Sequence, residues 1–197
     1  IQLPKDLPKM SAGLFGFLGY DMIRLVENLP NVNLDTLKMP DAVMIRPSIT
    51  IIIDGVKGEI TIICPIWVNK YQDAHYAYET ASKRISKVIK KIQSKLKISK
   101  PNSAILDQNV EPTSNVTMKQ YLEIIKRAKH YIVKGDIFQV VPSQRWSIPF
   151  KLPPFSLYRA LRRTNPSPYM FFFNLGNYQV IGASPEILVR VKNRIVT

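Results

Sequence analysis

The chain carries 197 residues with 28 basic side chains against 14 acidic ones, a formal net charge of +14. A hydrophobic content of 46% excludes an intrinsically disordered chain, and no apolar run approaches the ~20 residues a membrane helix needs. The single cysteine, Cys64, excludes an intrachain disulfide, and its place in "TIICPIWV" predicts a buried small hydrophobe in a reducing compartment.

The chain opens "IQLPKDLPKM" without an initiator methionine or a basic-then-apolar leader. It stops at "VKNRIVT", which reads as the second arm of a hairpin whose sheet is unfinished. The expectation is therefore an internal piece of a longer polypeptide.

Three stretches follow in chain order: residues 1–100, a linker at 101–116, and 117–197. In the first, "GLFGFLGYD" spaces Gly13, Gly16 and Gly19 with large apolar residues between them. That spacing departs from the dinucleotide-binding pattern G-x-G-x-x-G, so the glycines are read as points of close backbone approach. "PSITIIIDGVKGEITIICPIWV" holds two β-branched strands around a turn at Asp54-Gly55, a hairpin. A basic amphipathic helix is expected from about Tyr71 to Leu96. Its apolar stripe is Ile85, Val88, Ile89, Ile92 and Leu96, and Lys83, Lys87, Lys90, Lys91 and Lys95 fill the other side.

The linker "SKPNSAILDQNVEPTSN" has no periodicity and is rich in Pro, Asn and Ser. Thr117 and Gln120 then form a capping box for a second helix with an apolar face of Tyr121, Leu122, Ile125, Ala128, Ile132 and Val133. Gly135 is placed to end it in a left-handed turn. "DIFQVVPSQRW" is expected to be a strand bent at Pro142, and "PPFSLYRALRRTN" a third helix with Pro154 in its first turn. Strands "YMFFFNL" and "YQVIGAS" follow, joined at Gly176-Asn177. A last strand, "EILVRV", turns at Lys192-Asn193. This order predicts an α+β class, with layered, mostly antiparallel sheets and flanking helices.

The charge excess concentrates between Lys83 and Lys100. A nucleic-acid binder would interleave aromatics to stack on bases, and this segment has none after Tyr78. A solvated helix face accounts for it, with a basic nucleic-acid-binding module as the competing reading. His75 and His130 are expected as surface residues of helices. No set of Cys, His, Asp or Glu has metal-ligand spacing, and no serine has a nucleophile-elbow context. On its own residues the chain offers no catalytic and no metal-binding constellation. Arg145, Arg159, Arg162 and Arg163 could grip carboxylates or simply face solvent. "NPSPYMFFF", Asn165 to Phe173, joins a stiff turn to an apolar strand. Each proline fixes its own φ and extends its predecessor, so the turn is nearly rigid, and rigidity lowers the entropy lost when a ligand docks. Pro166, Pro168 and Tyr169 offer flat apolar surface, and Met170 an adaptable one. They form either one wall of a small-molecule pocket or a plain connector.

Four motifs, "GLFGFLGYDMIRLVENLP", "GDIFQVVPSQRW", "PPFSLYRALRRTNPSPYMFFF" and "IGASPEILVRV", together resemble component I of anthranilate synthase, a family of chorismate-utilising enzymes. The resemblance covers nearly the whole chain apart from its middle. It implies an incomplete chorismate-utilising fold whose chorismate-binding domain opens at about residue 117. The implied activity converts chorismate and ammonia, delivered by a glutamine amidotransferase partner, to anthranilate and pyruvate in tryptophan synthesis. Mg2+ is the implied cofactor, tryptophan the feedback inhibitor and the cytoplasm the location, with no nucleic-acid or membrane partner. The family's catalytic histidine, Mg2+-binding glutamates and substrate-binding arginine belong to motifs beyond Thr197, so the chain by itself is expected to be inactive. The N-P-S-P-Y-M turn does map, which makes Pro168, Tyr169 and Met170 the expected tryptophan-binding residues. Pro142 stands where the family commonly has leucine in "VVLSQR", which puts the local strand geometry in doubt. The folate-branch relative, aminodeoxychorismate synthase component I, is the nearest alternative.

Overall fold

The computed structural model describes residues 3–8, 10–67, 73–96 and 110–197. The chain divides into two compact units, residues 1–98 and 99–197.

In the first unit, β1 (Phe15–Leu18) pairs antiparallel with β2 (Ala42–Ile45), placing Gly16 opposite Met44. A methyl group at Gly16 would run into the backbone carbonyl of Val43. The glycine is there because the second strand's backbone occupies the space a side chain would need. Gly19 extends the contact, its N–H donating to the Asp41 carbonyl at 2.6 Å. Between the two strands, a short 3-10 helix at Tyr20–Leu25 is tied by an Asp21–Arg24 ion pair, and Arg24 also donates to the Pro30 carbonyl at 3.2 Å.

β3 (Thr50–Asp54) and β4 (Glu59–Ile63) form the expected hairpin, in register Asp54 opposite Glu59. The Asp54 carboxylate organises its loop by accepting from the Val56 and Lys57 N–H groups, each at 3.0 Å. The Lys57 N–H, with that of Val56 adding to it, holds the carboxyl below its ordinary value.

α1 (Ala74–Gln93) starts at Asp73, whose carboxylate accepts from the Tyr76 N–H at 3.1 Å. It ends earlier than expected. Tyr71 lies outside the described residues, and Ser94 adopts extended backbone while its hydroxyl caps the Lys91 carbonyl at 2.7 Å. Ala77 and Ala81 are the buried positions of this helix. They face the segment after β4 across a cavity of about 230 Å3 that Cys64, Trp67, Thr80 and Arg84 also line. Arg46 stacks over the Trp67 ring at 4.3 Å, an arrangement worth about 0.5–1 kcal/mol at an exposed site. Cys64 is half-buried just past the end of β4 rather than sealed within a strand. The expected apolar stripe is only partly covered, with Ile85 and Val88 half-buried and Ile89, Ile92 and Leu96 exposed.

In the second unit, the expected linker is outside the described residues up to position 109, and its end is ordered. There β5 (Thr113–Ser114) pairs with β6 (Trp146–Ser147). α2 (Met118–Lys134) carries both bonds of the capping box, Gln120 N–H to the Thr117 hydroxyl and Thr117 N–H to the Gln120 side chain. Gly135, at φ 79°, ends it; its N–H donates to Ile132 and that of Asp136 to Tyr131, the paired bonds of a Schellman turn.

The expected strand over 136–146 is a correction. Only Trp146 joins a ladder, and Phe138 is 93% exposed. A strand needs a neighbour to take its N–H and C=O groups, Pro142 has no N–H to give, and no described strand runs beside residues 137–145.

α3 (Pro154–Thr164) places Pro154 at its first position as expected. β7 (Tyr169–Asn174) pairs with β8 (Gln179–Ser184). The expected strand over Glu186–Val191 is a second correction, since the ladder begins only at its end. β9 (Val191–Lys192) pairs with β10 (Ile195–Val196), and Arg190 and Thr197 exchange backbone bonds at 2.8 and 2.7 Å. Their turn sits at Asn193-Arg194, one residue later than expected, and both residues have positive φ, 53° and 65°. That is the geometry of a two-residue hairpin loop whose twist matches the flanking strands.

Thr117→Ala removes the side-chain acceptor of the α2 cap. It is expected to cost about 1 kcal/mol, read as roughly fivefold faster amide hydrogen exchange at Gln120 in the complete protein. An unchanged rate would show that the box does not hold the helix start.

Candidate functional site around the proline turn

α3 ends at Asn165, whose N–H donates to the Leu161 carbonyl at 2.8 Å. Pro166 follows, so Asn165 cannot continue the helix, and it takes φ −141° and ψ 67°. The chain reverses through Ser167 and Pro168 and enters β7 at Tyr169. Three side chains moor this turn. The Ser167 hydroxyl donates to the Ser184 carbonyl at the far end of β8, and the Ser184 hydroxyl donates to the Glu186 carbonyl at 2.8 Å. Arg190 donates to the Tyr169 hydroxyl at 3.3 Å.

The strand then sorts its side chains by alternation. Met170 and Phe172 share the face covered by α3, where Phe172 meets Phe155 edge-on at 5.3 Å and Tyr158 at 6.1 Å. Phe155 and Tyr158 stack on one another at 5.5 Å. Such pairs add about 0.5–1.5 kcal/mol beyond their buried area. Tyr169, Phe171 and Phe173 share the opposite face, with Phe171 and Phe173 at 5.5 Å. Phe171 lies over Gly182, where a β-carbon would collide with its ring.

The three residues expected to bind tryptophan are thus contiguous but do not point the same way. Pro168 and Tyr169 are exposed, Tyr169 at 41%, while Met170 is half-buried on the α3 side. Neither Tyr169 nor Met170 is sealed. Sequence reasoning missed Ser167, Ser184 and Arg190 as the moorings. The repeat of Ser-Pro at 167–168 and 184–185 was the available clue, because both dipeptides lie at the same end of the hairpin.

The remaining candidates lie on the helices and beside β6. His75 lies 3.7 Å from Glu79 on the exposed side of α1, and His130 is exposed on α2. Arg159, Arg162 and Arg163 are exposed on α3. The Arg145 N–H is taken by the Asn115 side chain at 2.8 Å. Among the described residues no group of three or more His, Cys, Asp or Glu side chains could hold a metal ion. The described residues therefore offer no carboxylate set that fits the implied Mg2+. No described helix is long and apolar enough to cross a membrane.

Residues 2–197 match the family described as chorismate binding enzyme. The chain belongs to that family. Among chorismate binding enzymes it is 53% identical over 197 residues to anthranilate synthase component 1 of Cereibacter sphaeroides, covering all of this chain and 39% of that protein. It is 40% identical over 196 residues to the component 1 of Acetivibrio thermocellus, covering 97% of this chain and again 39% of the relative. The crystal structure of anthranilate synthase component I from Streptococcus pneumoniae superposes with a TM-score of 0.80 at 32% identity, over 99% of this chain and 43% of that one. The chain thus spans about two fifths of the length of these relatives, and the α+β architecture is that of the family.

Ser167→Ala would release the turn from Ser184. The expected loss is about 1 kcal/mol, seen in the complete protein as roughly fivefold faster exchange of the Met170 and Ala183 amides. Equal rates in variant and parent would show that the prolines alone hold the turn.

Proposed function

We propose that these residues are part of an anthranilate synthase component I. The complete protein adds ammonia to chorismate as the ring hydroxyl leaves, then eliminates pyruvate to give anthranilate for tryptophan synthesis. The observation that carries this reading is the 53% identity to a component 1 along the whole of this chain, supported by the superposition on the Streptococcus pneumoniae component I. Ammonia comes from a glutamine amidotransferase partner, and the enzyme works in the cytoplasm. Mg2+ is held by carboxylates outside these 197 residues.

The role of this chain's own residues is regulatory rather than chemical. Tryptophan lies at the start of β7, against the turn that Pro168, Tyr169 and Met170 form. Two features favour this place. The proline-fixed turn is moored to β8 through Ser167, so little order is lost on binding. A thioether beside a flat apolar proline also suits an indole ring. Arg190 holds the Tyr169 hydroxyl and so fixes the ring's orientation.

In the complete enzyme, Met170→Thr or Pro168→Ala is expected to raise the tryptophan concentration giving half-inhibition about tenfold or more, with uninhibited anthranilate formation nearly unchanged. Anthranilate fluorescence at graded tryptophan measures both. Parallel loss of activity and inhibition would make the turn a structural connector instead. The 197-residue chain alone, given chorismate, ammonia and Mg2+, is expected to form no anthranilate. Turnover by the purified chain would place the catalytic groups within it.

A further inference from the structure

Between α1 and the segment after β4, the first unit encloses a cavity of about 230 Å3. One stripe of α1 shapes its helix side. Ala77, Ala81 and Arg84 recur at helical spacing, with Thr80 one position before Ala81, so the four share a face. Both alanines are buried, at 4% and 8% exposure. Their methyl groups leave the space open, and a longer side chain at either position would occupy it. Across from them, Pro65 and Trp67 supply flat apolar walls. Thr80 adds a hydroxyl and Arg84 a guanidinium. Among the described residues no hydrogen bond or ion pair engages the Arg84 side chain. Arg46 lays a second guanidinium over the Trp67 ring, 4.3 Å from its centroid. No described acidic side chain lines the cavity.

We infer that this cavity is a binding site for a small monocyclic aromatic carboxylate. Its charge selects an anion. An ammonium-bearing ligand would meet only like charge and leave its donors unpaired, whereas the forked donors of Arg84 match a carboxylate in two parallel bonds. The Thr80 hydroxyl is a further donor in the same stripe. The flat walls select a planar ring, which gains more from an indole and a proline face than a branched alkyl group does. Size sets the upper limit. The volume lies below the ~300 Å3 at which sites for drug-sized ligands begin, so a single ring with its carboxylate fits and an indole-bearing amino acid does not. The site is built by the first unit alone. It rests neither on the proposed reaction nor on the proposed regulation by tryptophan.

Benzoate is the probe. The reporter is Cys64, which lines the same cavity and is the single cysteine of these residues. In the complete protein, alkylation of Cys64 by iodoacetamide is followed by mass spectrometry of the peptide that contains it. A ligand of this size is expected to bind with a Kd of ~1 mM, so about 10 mM benzoate should slow the alkylation about tenfold. Benzamide, its neutral counterpart, should leave the rate nearly unchanged. Arg84 is exposed, so Arg84→Gln should leave the thermal midpoint of the protein where it was and abolish the protection by benzoate. Arg84→Lys should retain part of it, since the charge stays and the fork is lost. Equal protection by benzamide would make this an apolar void and overturn the inference. So would protection that survives Arg84→Gln, or no protection by benzoate at all. A thiol that fails to react even without benzoate would show the cavity closed in the complete protein, which overturns it equally.

Discussion

Six residue pairs hold β7 against β8, and the two-residue period of that ladder decides where every side chain from Tyr169 to Asn174 can act. A shift of one residue would exchange the faces. Phe172 would leave Phe155 and Tyr158, and Phe171 would lose the glycine that accommodates its ring. The register is specified from both sides. On one face a three-ring aromatic cluster joins the strand to α3, and on the other Gly182 leaves room for the Phe171 ring. The bonds from Ser167 and Arg190 then connect one end of this ladder to the turn and to the segment before β9.

The proline turn gains its meaning from that arrangement. Proline makes a stiff connector wherever it occurs, and stiffness alone distinguishes no function. Moored at one end by the helix terminus at Asn165 and at the other by the start of the ladder, the turn presents Pro168 and Met170 in a fixed relation. Tyr169 is held separately on the opposite side. Such preorganisation suits an effector site, where binding energy must not be spent on ordering the protein.

The first unit shows a different use of the same physics. β1 and β2 approach so closely at Gly16 that backbone replaces side chain at the contact, while β3 and β4 rely on β-branched pairs such as Ile51 opposite Ile62. The basic helix α1 packs through alanines, Ala77 and Ala81, leaving its lysines in solvent. Its positive field is a property of a hydrated face, with one lysine, Lys83, engaged by Glu79 at 3.3 Å.

Local elements were legible in the sequence because their causes are local. The capping box at Thr117 and Gln120, the left-handed stop at Gly135, Pro154 in the first turn of α3, and the β3–β4 and β7–β8 hairpins each depend on residues only a few positions apart, so the chain alone determined them. The family was legible too, since its motifs are contiguous words. The strands at 136–146 and 186–191 were misjudged for one reason. Pattern marks a segment as able to pair, but pairing requires a neighbour that sequence cannot place. Tertiary structure alone decided which face of β7 α3 covers, that Ser167 reaches Ser184, and that Arg190 holds the tyrosine. Those contacts span 17 and 21 positions of chain, and only the ladder between β7 and β8 brings their ends together.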